Sequence, residues 1–219
     1  MELLARLVAM AQREGEFATA QLYLVAYVFL LRGPSEGIPL VIGRDGEAEQ
    51  LLAPGAHSCL SFVGDDVAPT LVLRLARRKN NAHGWVSRAN CWCGKSAAAT
   101  ACCPIHELGM TIARQAGETP FLHISAGAAL ATLRRHLTAL EVEGAESYRL
   151  HDFRRGHTRD IQASGGTLYD ILTAGGWSSP AFMSYLDVQE LESEHVLQAH
   201  ERDQIVQAHV DESDSDVEG

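Results

Sequence analysis

The sequence predicts an α+β fold that is mainly α, with a small antiparallel sheet near its middle. Three observations lead there. Apolar residues return at helical spacing in the first thirty positions and again through the last third of the folded region. Short runs rich in β-branched and aromatic residues fall between positions 39 and 87. Glycine, proline and asparagine signals separate the two kinds of pattern.

Taken in order, residues 1–31 read as helix, from Leu3, Leu4, Leu7 and Val8 and again from Leu22 to Phe29. Gly33-Pro34 breaks it, and Ser35-Glu36 opens the next segment. Strands are expected at 39–42, 70–75 and 85–87, with Asn80-Asn81 and Gly84 as turn signals between the last two. Residues 44–69 read as loop with short helices, and 89–106 as a Cys-rich insert. Ser125 is placed to cap a helix that runs to about Leu140. A helix from about His151 ends at Gly165-Gly166, and Thr167 caps another that stops at Gly175-Gly176. Ser178-Ser179-Pro180 then opens a helix containing Tyr185. The expected organisation is one domain over residues 1–194 and an acidic, disordered tail over 195–219.

Composition narrows the function classes. The net charge of −10 argues against a nucleic-acid partner until its distribution is examined. Residues 187–219 hold eleven acidic side chains and one arginine, whereas residues 1–186 carry 17 acids and 17 bases. The body is therefore neutral overall and free to present local basic patches, such as Arg74, Arg77, Arg78 and Lys79 with Arg88 across the turn. No apolar run is long enough to span a bilayer, and no secretory signal is expected at the N-terminus. The reading is an intracellular protein with no membrane partner. Five cysteines without a secretory context point to metal binding or plain thiols in preference to a disulfide framework. Within the insert, Cys91, Cys93, Cys103 (or Cys102) and His106 have the chemistry of a tetrahedral Cys₃His structural zinc site; buried or free thiols are the alternative. A zinc-dependent hydrolase is disfavoured, since no His-Glu-x-x-His helix occurs.

The chemistry-bearing residues gather toward the C-terminus. His151 and Arg154 lie one helical turn apart, so both can face one phosphate. Gly175-Gly176-Trp177 follows, then Tyr185. Earlier in the chain, Leu30-Leu31-Arg32-Gly33-Pro34-Ser35-Glu36 ends an apolar helix on an arginine.

In these residues the sequence resembles the tyrosine recombinase and integrase family, whose pattern runs Arg, Lys, His-x-x-Arg, His-or-Trp, Tyr. Arg32, Lys79, His151, Arg154, Trp177 and Tyr185 match it in order, over roughly residues 20–187. The Gly-Gly-Trp-Ser-Ser-Pro-Ala-Phe spelling and the Cys-rich insert look closer to eukaryotic Crypton-type transposon recombinases. The resemblance implies a helical catalytic domain over 1–194 that cleaves and rejoins duplex DNA through a 3′-phosphotyrosine at Tyr185. It implies that Arg32 and Arg154 clamp the phosphate, that His151 acts as general acid/base, and that Trp177 donates its indole N–H. Lys79 would protonate the departing 5′ oxygen, with Arg77 or Arg78 as alternatives, and Glu36 would orient a partner in the site. No cofactor is required for this catalysis. Action as a homo-oligomer on DNA, in the nucleus, is implied too, with the apolar spacing from Leu186 to Leu197 available as a short helix for a neighbouring subunit. The family also carries an N-terminal clamp domain, whereas about thirty residues precede Arg32 here. A catalytically inactive or domesticated DNA-binding remnant is accordingly the rival expectation.

Overall fold

The computed structural model describes residues 1–50, 57–64, 69–77, 84–112, 116–177 and 186. Two compact units, Met1–Pro180 and Ala181–Gly219, divide the chain, and the fold below is that of the first. The expected Asn80-Asn81 turn, the helix around Tyr185, the short apolar helix beyond it and the acidic tail lie outside the described residues.

The centre of the fold is α2 (Phe17–Val28). Every residue from Leu22 to Val28 is buried, and burial continues through Leu31. A helix apolar on all sides is stable only with neighbours all round it. α1 (Glu2–Arg13) supplies one of them, turning Leu4, Leu7, Val8 and Ala11 inward at i, i+3, i+4 and i+7. The sequence predicts one helix over residues 1–31; the chain instead breaks at Glu14-Gly15-Glu16, where Gly15 takes φ +77°. That left-handed residue folds α2 back onto α1, a reversal no continuous helix allows.

The mainly helical α+β class is the observed one. The sheet has four strands in the order β1 (Val41–Ile42), β2 (Cys59–Val63), β3 (Thr70–Leu75), β4 (Trp85–Ala89). β2, β3 and β4 pair antiparallel, placing Leu73 between Leu60 and Ser87, and the two-residue β1 adds to β2 in parallel. The sheet is therefore mixed, antiparallel over its three longer strands. β2 falls in the region read as loop. Its Cys59, Leu60 and Ser61 are buried in succession, so it lacks the in–out alternation of a half-exposed strand.

The insert after β4 contains two helices, α3 (Ala97–Ala101) and α4 (Pro104–Ile112). α5 (Ala126–Ala139) begins where Ser125 Oγ accepts from the Ala128 N–H at 3.1 Å. α6 (Asp152–Ala163) packs on α2, and α7 (Leu168–Gly175) packs on α6. α7 opens with a capping box: Thr167 Oγ1 accepts from the Asp170 N–H at 3.2 Å, and Asp170 Oδ2 accepts from the Thr167 N–H at 2.8 Å. Among the described residues no helix is long and apolar enough to cross a membrane.

The phenols of α2 tie it to α5 and α6. Tyr23 Oη meets His136 Nδ1 of α5 at 3.1 Å, and Tyr27 donates to Asp160 of α6. Burial raises both phenol pKa values, so each stays a neutral hydrogen-bonding group. His136 Nε2 in turn faces Glu14 at 3.2 Å and Glu16 at 3.3 Å, and Arg135 pairs with both carboxylates.

Leu137 is fully buried in the core on α5. Leu137→Ala is expected to cost about 2–5 kcal/mol of stability, through lost burial plus the cavity left behind. Urea unfolding with an unchanged m-value measures it, and a loss below about 1 kcal/mol would mean that this site closes over the gap.

Candidate functional site

The C-terminus of α2 turns directly into the first candidate. After Leu30, at φ +49°, the chain enters a π-helical turn, Gly33–Gly37, with Arg32 at its N-terminal boundary. Glu36 folds back on that arginine: Oε2 accepts from the Arg32 N–H at 2.8 Å, and Oε1 meets Nη1 at 3.2 Å. Glu36 is buried and Arg32 keeps part of its surface in water, so the carboxylate anchors a guanidinium that remains partly exposed. Gly33 lies against Leu150, where an added Cβ would come within 3.1 Å of the leucine Cβ, so the turn sits close to the start of α6.

His151 occupies the N-cap of α6 and Arg154 its first turn. The His151 pKa is lowered, by burial first and then by the positive charges of Arg154 and Arg32. The N-terminal end of a helix dipole acts in the same direction. Residues 122 positions apart thus bear on one imidazole. Arg154 is 1% exposed. Its Nη2 donates to the Gly175 carbonyl at 2.9 Å, and its guanidinium carbon lies 4.2 Å from the centre of the Trp177 ring. The ring packs so tightly that a Cβ on Gly175 would fall 1.7 Å from it, while Gly176 ends α7 at φ +55°. Arg32, Glu36, His151, Arg154 and Trp177 therefore form one neighbourhood built from the turn after α2, the start of α6 and the end of α7. Lys79 and Tyr185 lie outside the described residues, as does Arg78.

The basic run of β3 divides. Arg74 is buried, and its Nη1 donates to the carbonyls of Glu47 at 2.7 Å and Gln50 at 3.1 Å. It secures the loop before β2 and has no surface to offer a phosphate, contrary to its reading as part of a basic edge. Arg77 is exposed, and Arg88 pairs with Glu49 at 2.8 Å.

The second candidate lies in the insert. Cys91, Cys93, Cys103 and His106 bring their ligand atoms within 4.8 Å of one another, an arrangement that could hold a metal ion. Cys91 and Cys103 sulfurs are 3.6 Å apart, and Cys93 Sγ is 3.2 Å from His106 Nδ1. A tetrahedron with metal–sulfur bonds of about 2.3 Å has edges of about 3.8 Å, so the spacing fits such a site. Cys102 is excluded from the set: its thiol donates to the Ala98 carbonyl at 2.9 Å, and burial pushes it up to about 11. Cys103 is the opposite case. Burial opposes its thiolate, but N–H donors from Trp92 and His106, with the His106 ring and the Cys91 thiol, hold its pKa down to about 6. Cys93 is pushed up to about 11 by desolvation and by hydrogen bonds with Cys91 and Cys103. One thiolate forms readily, and a cation would offset the charge of the next. A further group, Glu14, Glu16 and His136, also has clustered ligand atoms, but Arg135 already pairs with both carboxylates.

Arg32→Gln removes one of the like charges acting on His151 and is expected to raise its pKa from a starting value below the ordinary 6.5. Because folding lowers this pKa, the unfolded chain takes up the proton first. Stability is therefore lost as pH falls from about 6.5 toward the folded value, and is constant above about 6.5. An NMR titration of the His151 ring reads the midpoint, and a midpoint identical in the variant would separate Arg32 from this neighbourhood. No protein-family model matches the sequence, and no curated protein matches it.

Proposed function

We propose that this chain is the catalytic domain of a tyrosine recombinase, which cleaves and rejoins duplex DNA through a 3′-phosphotyrosine at Tyr185. The observation that carries the reading is the joint action of Arg32 and Arg154 on His151, with Trp177 lying on the Arg154 guanidinium. Two guanidiniums can offset the charge that develops on the non-bridging oxygens of a phosphodiester under attack. A histidine kept neutral by burial and by its cationic neighbours is a competent base for the tyrosine proton. Lys79 would protonate the leaving 5′ oxygen. The covalent intermediate conserves the energy of the broken bond, so rejoining needs no nucleotide cofactor. On this reading the chain works as a homo-oligomer on DNA, in the nucleus of a eukaryotic cell, and derives from a transposable element.

A second reading is a DNA-binding remnant of such an enzyme without turnover. The burial of Arg154, held by the Gly175 carbonyl and the Trp177 ring, favours it, since that cation already serves the packing. A nicked suicide duplex separates the two. The enzyme yields a denaturation-resistant protein–DNA adduct that is absent from Tyr185→Phe, and reduced about 10²–10³-fold in Arg154→Lys, which keeps the charge but loses the planar fork. Duplex binding without adduct in the parent chain establishes the remnant. Adduct that persists in Tyr185→Phe removes this nucleophile.

For the insert we propose zinc, bound by Cys91, Cys93, Cys103 and His106 in a structural role. Three sulfurs and one imidazole suit a borderline-soft ion that accepts tetrahedral geometry, and they suit magnesium or calcium poorly. Metal analysis after adding zinc to stripped, reduced protein is expected to return one ion per chain, with the three thiols protected from alkylation. No retained zinc, with all thiols freely reactive, would end the assignment.

A further inference from the structure

The insert does more than fold on itself. Cys91 and Cys93 flank Trp92, whose N–H donates to Cys103 Sγ at 3.2 Å. The indole is buried at 9% exposure and meets two rings edge-on: Tyr27 at 6.3 Å and 79°, and His157 at 6.1 Å and 72°. Those two rings stack on each other at 4.6 Å and 8°, and His157 Nδ1 lies 2.7 Å from the Tyr27 carbonyl. Trp92 therefore completes a three-ring cluster whose other members stand on α2 and α6. Tyr27 is five residues before Arg32, and His157 is one turn after Arg154. The same joint holds the helix that leads into one arginine and the helix that carries the other.

Among the described residues, the other hydrogen bonds that hold the loop around Trp92 are long. Lys95 N–H reaches the Trp92 carbonyl at 3.3 Å, and Gly94 N–H reaches Thr100 Oγ1 at 3.5 Å. The sulfur cluster is the firm point. A metal bound there would tie both neighbours of Trp92 to Cys103 and to His106 of α4.

We infer that a divalent ion held by Cys91, Cys93, Cys103 and His106 seats Trp92 against the edges of the Tyr27–His157 stack. In this way it braces the contact of α2 with α6 from the side of the insert, and hence the placing of Arg32 relative to His151 and Arg154. Trp92 is a positioning residue in this scheme, acting through the two helices. The inference rests on the zinc reading of the insert and is independent of the DNA reading.

The test uses the full chain, stripped of metal under a reducing agent, with zinc alone as probe and magnesium as control. Zinc stoichiometry is measured together with the NMR signals of the His151 and His157 rings, assigned by single replacements with glutamine. One zinc per chain, with shifts at both rings and none with magnesium, is expected for the parent protein. Trp92→Ala keeps all four ligands and is expected to bind one zinc with both ring signals unmoved. Trp92→Phe, which retains an aromatic ring against the stack, is expected to restore the shifts in part. If the parent binds one zinc while His151 and His157 stay unmoved, the coupling is wrong and the zinc assignment stands. Shifts undiminished in Trp92→Ala also overturn the coupling through this side chain. A parent chain that binds no zinc removes the assignment and the inference together.

Discussion

A helix buried on every side must still satisfy whatever polar atoms its sequence carries, and α2 carries two phenols, Tyr23 and Tyr27. An unpaired hydroxyl at such depth costs on the order of 1–3 kcal/mol, so the surrounding elements have to present partners at set heights. His136 answers Tyr23 from α5, and Asp160 answers Tyr27 from α6. These two bonds orient the neighbours of the central helix more sharply than apolar contact does, because burial energy is nearly indifferent to rotation and a hydrogen bond is not. The position of α6 relative to α2 follows, and with it the approach of His151 and Arg154 to Arg32.

Much of this order is written in local signals. Ser125 and Thr167 mark helix starts by side-chain chemistry that acts within three residues, and the structure uses both as caps. Gly176 marks a stop for a reason equally local. The break between α1 and α2 is less legible: Gly15 sits between two glutamates that suit a helix, and only the fold-back of α2 onto α1 decides it. β2 escapes the pattern because burial on both faces erases alternation. In the candidate site, the motif residues can be read along the chain, but the partner of each cannot. That Glu36 holds Arg32, that Arg74 serves the Glu47 and Gln50 carbonyls, and that Cys103 and not Cys102 joins the sulfur cluster are all long-range or geometric facts. Adjacent cysteines differ only in where their sulfurs point, and composition does not encode that.

The two candidate centres have opposite electrostatic character and share one helix. One gathers guanidinium charge around a histidine at the start of α6; the other gathers thiols that would become anionic, and it meets α6 through Trp92 and His157. Guanidiniums need no proton exchange to do their work, whereas thiol ligands must lose protons before they bind a metal. The first centre therefore keeps its charge across the physiological range, and the second acquires its charge with its ion.

Gly175 and Gly176 stand side by side and are constrained on unrelated grounds. At 176 the restriction is a dihedral one: the left-handed backbone admits glycine easily and asparagine at some cost, whatever the space around it. At 175 the restriction is volumetric, since the Trp177 ring occupies the place where any β-carbon would stand. A drifting sequence could thus pass through asparagine at 176 and keep its shape, but at 175 even the smallest side chain evicts the indole from Arg154.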